Sequence, residues 1–314
     1  MKQKLLIIAG PTAVGKTNIS VRVAEKLYGE IISADSAQVY KYMDIGTAKI
    51  TKEEMKGIKH YMLDLLYPNE TFSAALFKEK AERYINDITA RGKLPIIVGG
   101  TGLYINSLLN NFEFTDSIID NEYRNELKRI ANEKGNKYVH EMLKGIDDVS
   151  YNKLHPNDLK RVIRALEVYK NTGKPITYFQ ALSKQQPCKY DFCYIGLNMN
   201  REKLYKRIED RVDKMIEAGL VREVEKLLEM GYNKGHTALQ ALGYKEIIDY
   251  LHNKYSLDEA IKTLKKNTRN YAKRQLTWFR NDNRIFWLHV DNYYSMEILV
   301  ENIIRYAAGK ISLI

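Results

Sequence analysis

The chain has 314 residues, enough for one large core or two domains, and its 45% hydrophobic and 28% charged residues are ordinary for a globular protein. No uncharged apolar run approaches the roughly 18 residues of a membrane span and no signal-peptide pattern opens the chain, so no membrane is expected and a cytoplasmic location follows. A formal net charge of +11 is unusual for an enzyme of small neutral metabolites and points to a polyanionic partner, nucleic acid first, with polyphosphate binding and plain solubility as the other causes of such a charge.

The apolar run Lys4 to Ala9 predicts a buried strand, and the residues after it, Gly10-Pro11-Thr12-Ala13-Val14-Gly15-Lys16-Thr17, complete the pattern G-x-x-x-x-G-K-[ST]. A strand, then a glycine loop, then a helix is the context that makes this pattern a polyphosphate site. Gly10 and Gly15 let the backbone wrap the anion, and the loop amides point at it. Lys16 adds a charge on the terminal phosphate and Thr17 a hydroxyl for a phosphate-bound Mg²⁺.

Asn18 to Leu27 reads as a helix stopped by Gly29, and Glu30 to Ala34 as a short strand that delivers Asp35-Ser36-Ala37-Gln38-Val39-Tyr40 at its C-terminal end. Loops that follow the strands of an open parallel sheet share one edge, so Asp35 is expected to face the same crevice as the glycine loop. Three roles suit it at this point: a turn or N-cap residue, a carboxylate beside the phosphates, or an acid holding Mg²⁺ through water. Phe72 to Ile88 predicts a second amphipathic helix and Leu94 to Val98 another buried strand, running through Gly99-Gly100-Thr101-Gly102-Leu103-Tyr104 into a helix that reaches Leu109. Thr101 either donates its hydroxyl to a phosphate or belongs to a tight turn only. The alternation so far implies an α/β fold with a mainly parallel sheet.

Between about Phe112 and Tyr190 the pattern changes to polar helical segments, of which Glu122 to Lys134 and Asp158 to Lys170 are the clearest, and reads as a helical insertion. Lys160, Arg161 and Arg164 lie at one-turn spacing, forming either a solvated face or one that contacts phosphates. Phe192 to Leu197 returns to the sheet. Arg201 to Met230 is helical with a break at Gly219, and His236 to Glu246 shows only a loop entering a helix. Leu257 to Arg280 carries an apolar arc flanked by Lys262, Lys266, Arg269, Lys273 and Arg280, a plausible element for nucleic-acid backbone, with Trp278 and Phe279 either stacking bases or packing in the core. Arg284 to Val290 predicts a final buried strand before a closing helix. Cys188 and Cys193 lack zinc-ligand spacing and read as reduced structural thiols.

Together these stretches resemble one family, the tRNA dimethylallyltransferases. The match runs through Gly-Pro-Thr-Ala-Val-Gly-Lys-Thr at 10 to 17, Asp-Ser-Ala-Gln-Val-Tyr at 35 to 40, Met-Asp-Ile-Gly-Thr-Ala-Lys at 43 to 49 and Val-Gly-Gly-Thr-Gly-Leu-Tyr at 98 to 104. It continues through His-Pro-Asn-Asp at 155 to 158, Lys-Arg-Val-Ile-Arg-Ala-Leu-Glu-Val at 160 to 168, Gln-Ala-Leu-Gly-Tyr-Lys-Glu at 240 to 246 and Arg-Gln-Leu-Thr-Trp-Phe-Arg at 274 to 280. The zinc-finger tail of the family's eukaryotic members is not seen, so a bacterial-type enzyme is expected.

The resemblance implies a P-loop NTPase-like parallel sheet flanked by helices, formed by residues 1–111 and 191–314, with an all-helical insertion domain at 112–190. It implies transfer of a dimethylallyl group from dimethylallyl diphosphate to N6 of the adenosine immediately 3′ of the tRNA anticodon. Gly10, Thr12, Ala13, Val14, Gly15, Lys16, Thr17 and Arg211 would bind the diphosphate, with Thr17 also a ligand of Mg²⁺. Asp35 would be the general base, apt because the amine loses a proton as it is alkylated, and Thr17 and Thr101 would act at the leaving diphosphate. Contacts to the anticodon stem-loop of tRNA would come from Asp35, Ser36, Ala37, Gln38, Thr101, Arg124, Lys160, Arg161, Arg164, Gln240, Gly243, Tyr244 and Lys245. An amide such as that of Gln38 matches the donor and acceptor edge of adenine. A monomer is the expected state. The rival readings are an NTPase or phosphotransferase of another substrate, a prenyltransferase of free adenine nucleotides, and an RNA-binding module without chemistry.

Overall fold

The computed structural model describes residues 2–110 and 120–311. It divides into two compact units, residues 1–105 with 190–314, and residues 106–189. The expected junction at 111 and 112 lies outside the described residues.

The first unit opens with β1 (Gln3–Ala9), α1 (Lys16–Lys26), β2 (Gly29–Ala34), α2 (Lys52–Met55), β3 (His60–Tyr61), α3 (Ala74–Ala90), β4 (Leu94–Gly99) and the start of α4 (Gly102–Leu109). The second unit holds the rest of that helix with α5 (Asn121–Lys134), α6 (Asn136–Glu141), α7 (Asp148–Lys153), α8 (Leu159–Thr172) and α9 (Ile176–Gln185). The first unit resumes with β5 (Tyr190–Asn198), α10 (Arg201–Glu217), α11 (Leu220–Glu229), α12 (Tyr244–Leu251), α13 (Leu257–Arg280), β6 (Phe286–His289) and α14 (Met296–Ile311).

Among the described residues six strands form one parallel sheet, in the order β3-β2-β4-β1-β5-β6. Strands β1, β2 and β4 are almost wholly buried because helices cover both faces, which is why they read as continuous apolar runs. Ala9 lies level with Gly99 and Gly196, and Gly99 level with Ala34, so the C-terminal ends of β1, β2, β4 and β5 align. The chain reverses its direction of travel across the sheet beside β1. Ligands of open parallel sheets bind at such a switch point.

The main core joins Leu6, Ile8, Val23, Ile96 and Ile195 to Leu299, Ile303 and Ala307 of α14. A second core gathers Val39, Tyr40 and Met43 with Val212 of α10, Val224 of α11, Tyr244 and Ile247 of α12 and Leu264 of α13. The helical unit packs Leu127, Val139, Val162, Ile163 and Leu166 together. One charge sits inside the sheet at its far end: Glu30, satisfied by Arg91, Lys93 and the Tyr61 hydroxyl, with the Arg91 bonds first among the causes that hold its pKa down near 2.

One expectation needs correction. The last strand is not buried: β6 pairs only with β5 at the sheet edge, and of its residues only Leu288 is inside. Between residues 41 and 72 the chain forms α2 and β3, neither of which has a periodic run long enough to be read. Of the two roles left open for these aromatics, Phe279 takes the core one, whereas Trp278 is partly exposed and lies against Gly102.

Candidate active site

The glycine loop follows β1 as expected. Gly10 adopts a left-handed φ of 152°, and a Cβ there would lie 2.5 Å from the Leu197 carbonyl oxygen of the neighbouring strand, so no larger residue fits. Gly15, with φ at 101°, is the N-cap of α1, and neither a side chain nor a first-turn acid caps that helix. Its positive end is left for an anion. Lys16 folds back over the loop, donating from Nζ to the Gly10 and Pro11 carbonyls at 2.9 and 2.7 Å. Burial pushes its pKa down to about 7, partly countered by the charge of Asp35 and reinforced by that of Arg211. Lys16, Asp35 and Arg211 therefore form one electrostatic group.

Asp35 stands just past β2 and accepts the backbone N–H groups of Ala37 and Gln38 on Oδ1 at 2.9 and 3.3 Å. This is the turn role open to it from sequence. The same carboxylate lines a cavity of about 830 Å³ with Thr12, Ala13, Gly15, Lys16 and Thr17. Turn and site are thus compatible: one oxygen fixes the loop. Arg211 reaches the cavity from α10 and donates to the Thr47 carbonyl at 3.1 Å, with burial lowering its pKa against the pull of Asp35. From α13, Tyr271 also lines the cavity; burial first, then the charge of Asp35, raises its pKa, so the phenol stays neutral. The Thr101 hydroxyl is buried beside Tyr271 and unsatisfied by normal hydrogen-bond geometry, while the Thr101 N–H donates to the Ala34 carbonyl at 3.1 Å.

A glycine loop at an uncapped helix N-terminus, a carboxylate lining the same cavity, and the cations Lys16 and Arg211 beside them can hold a phosphate-bearing donor while an acceptor displaces the phosphate and loses a proton. The sequence profile described as IPP transferase matches residues 38–282. The chain belongs to the IPP transferase family. The match begins after the glycine loop, and whole-chain likeness covers that part as well. The chain is 55% identical to the tRNA dimethylallyltransferase of Acetivibrio thermocellus over 97% of each chain. It is similar to the crystal structure of the full-length tRNA isopentenylpyrophosphate transferase of Bacillus halodurans, with a TM-score of 0.75, 46% identity, and coverage of 99% of this chain and 97% of that one. A eukaryotic dimethylallyltransferase captured acting on tRNA has a TM-score of 0.80 at 31% identity, with 96% of this chain and 78% of that chain covered.

The candidate residues after Asp35 and in the helical unit fall into three groups. Ser36, Ala37, Gln38, Gln240 and Lys245 line the cavity. The Gln38 amide is already engaged: Oε1 accepts from Ser33 at 3.2 Å, and Nε2 donates to the Thr47 and Ala48 carbonyls at 3.3 and 3.4 Å. Those bonds fix the orientation of the amide, and Oε1 keeps a second lone pair that can accept from a base. Gly243 and Tyr244 do not line it. Gly243 is the left-handed N-cap of α12, and Tyr244 is fully buried with its hydroxyl 2.7 Å from Glu223, so the Tyr244 side chain presents no surface to a ligand in this conformation.

In the helical unit Lys160 and Arg161 are exposed, Arg161 pairing with Asp158 at 3.0 Å. Arg164 and Arg124 instead converge on the carboxylate of Glu167, which is inaccessible to solvent, at 2.6 Å each. The expected common basic face is split: two residues face water and one is committed to a buried acid.

Sequence reasoning missed Gln275 and Glu223. Gln275 is buried on α13, its Oε1 accepting from the Thr12 N–H at 2.9 Å and its Nε2 donating to the Gly100 carbonyl at 3.0 Å. A signal existed, because Gln275 is a polar residue four positions from both Tyr271 and Phe279 on the otherwise apolar arc. Glu223 left none, being one acid among several on α11.

Proposed function

We propose that the protein transfers the dimethylallyl group of dimethylallyl diphosphate to N6 of the adenosine 3′ of the anticodon in tRNA. The observation that carries this reading is the shared cavity of Asp35 and the Lys16 loop, in a chain similar end to end to enzymes of that name. The loop amides, Lys16 and Arg211 hold the diphosphate. The adenosine is flipped out of the anticodon loop so that its amine meets C1 of the allylic group. The amine lone pair forms the N–C bond while the C1–O bond breaks and its electron pair leaves on the diphosphate. Asp35 accepts the proton released by the amine. The Thr101 hydroxyl, buried against Tyr271 and outside the residues that line the cavity, is the donor for the departing oxygen once it turns toward the site.

The donor set fits a Mg²⁺ that arrives with the diphosphate. Thr17 offers one hydroxyl at the mouth of the loop, and among the described residues no three His, Cys, Asp or Glu side chains cluster, so phosphate oxygens and water would complete the shell. When bound, the ion neutralises charge on the leaving group. Lys160 and Arg161 on α8, with Gln240 and Lys245, are the proposed tRNA contacts. No helix among the described residues is long and apolar enough to cross a membrane. A cytoplasmic monomer fits the reading.

The test is incubation with bulk tRNA, dimethylallyl diphosphate and Mg²⁺ without ATP, followed by nucleoside mass analysis. N6-isopentenyladenosine is the expected product. ATP hydrolysis with no such product would return the loop to a nucleotide-binding role.

A further inference from the structure

Residues 43–49, Met-Asp-Ile-Gly-Thr-Ala-Lys, carry part of the family resemblance, yet none of them has a part in the chemistry above. Their backbone is wrapped around an acid from another element. Glu223 of α11 accepts the N–H groups of Asp44 and Ile45 on Oε2 at 2.9 and 2.7 Å, and those of Gly46 and the Tyr244 hydroxyl on Oε1 at 3.0 and 2.7 Å. Four donors fill the acceptor sites of one carboxylate. Three consecutive amides converging on one anion form a nest, here occupied by the protein's own side chain. The loop needs Gly46 because the Tyr244 ring presses on it: a Cβ there would meet the ring at 2.6 Å.

The wrapped loop ends in two carbonyls that face the cavity residues. The Thr47 carbonyl accepts from Arg211 at 3.1 Å and from Gln38 at 3.3 Å, and the Ala48 carbonyl accepts from Gln38 at 3.4 Å. The far side of the loop is pinned as well. Lys49 is almost fully buried and donates to the Tyr40 carbonyl at 2.8 Å and to Asp44 and Asp64 at 2.6 Å each. Glu223 does not itself line the cavity, but it fixes the segment from which both carbonyls project.

We propose that Glu223 is a positioning residue: by clamping the 44–46 amides, it sets the Thr47 and Ala48 carbonyls that aim Gln38 and Arg211 into the cavity, and its main effect is on capture of the acceptor base through Gln38. The proposal rests on the transferase reading.

In Glu223→Gln the amide NH₂ would oppose N–H donors, so the clamp opens while side-chain volume is kept. The experiment measures tRNA prenylation by wild type, Glu223→Gln, Gln38→Ala and the double variant, each with its thermal midpoint. The expected result is a loss of about tenfold in kcat/KM for tRNA with the KM for dimethylallyl diphosphate changed by less than about twofold, and little further loss when Glu223→Gln is added to Gln38→Ala. Unchanged kinetics at a lowered midpoint, or losses that simply add in the double variant, would overturn the proposal. Should Glu223→Gln fail to fold, Tyr244→Phe removes one of the four bonds and must show the same selective loss at about two- to threefold. No product from wild type would overturn the transferase reading itself, and the positioning role with it.

Discussion

Gln275 and Thr12, 263 residues apart in the chain, are joined by one hydrogen bond that fastens the phosphate loop to the long helix α13. The other end of the same amide holds the Gly100 carbonyl, so a single buried side chain ties together the loops that follow β1 and β4. Replacing it leaves one backbone donor and one acceptor unsatisfied. Gln275→Leu is expected to lower stability by about 2–4 kcal/mol and to raise the KM for dimethylallyl diphosphate. Calorimetry alongside steady-state kinetics checks both. A midpoint and KM equal to wild type would show that the loops hold their places without the amide.

Lys16 gives a pH signature. Its folded pKa of about 7 lies below the ordinary 10.5, so between those values the unfolded chain binds more protons and stability rises with pH. The cost of burying this ammonium is fully present below pH 7 and fades as pH rises toward 10.5. Lys16→Met is therefore expected to melt higher than wild type at pH 6.5, with the gap closing by pH 10. A bound diphosphate favours the charged amine, so binding at pH 8 should take up a proton, with uptake approaching one per site and vanishing near pH 6. Calorimetric titration in buffers of different ionisation enthalpy measures it, and uptake independent of Lys16 would contradict the assignment.

Asp35→Asn separates the turn from the chemistry. The Asn oxygen still accepts the Ala37 and Gln38 amides, so the thermal midpoint should stay close to wild type. Without a base the turnover number should fall by roughly 10²- to 10⁴-fold. Single-turnover assays with tRNA saturating the enzyme make the comparison, and near-normal turnover would remove Asp35 from the mechanism.

The arginines and lysine of α8 should divide by burial. Lys160→Ala and Arg161→Ala remove exposed charges, so each should weaken tRNA binding and reduce the slope of log affinity against log salt by about one, with stability preserved. Arg164→Ala takes a partner from buried Glu167 and should lower the melting midpoint, cushioned because Arg124 remains. Filter binding across a salt series and thermal melts distinguish the two behaviours. Equal effects of all three substitutions on both measurements would contradict the split.

The sequence alone determined the parts whose physics is local. The glycine loop, the helix that follows it and the apolar strands β1, β2, β4 and β5 are written in residue spacing, because a parallel sheet covered on both faces demands continuous apolar runs. The placement of Asp35 near Lys16 was also readable, since the loops after parallel strands share an edge. Tertiary structure decided what each polar side chain is committed to. Arg164 looks identical to Arg161 in the sequence but faces a buried carboxylate, Tyr244 sits in a family motif but is enclosed, and Gln275 lies in an apolar arc but bonds two distant loops. Such commitments depend on hydrogen bonds between residues far apart in the chain, and no periodicity within a single element records them.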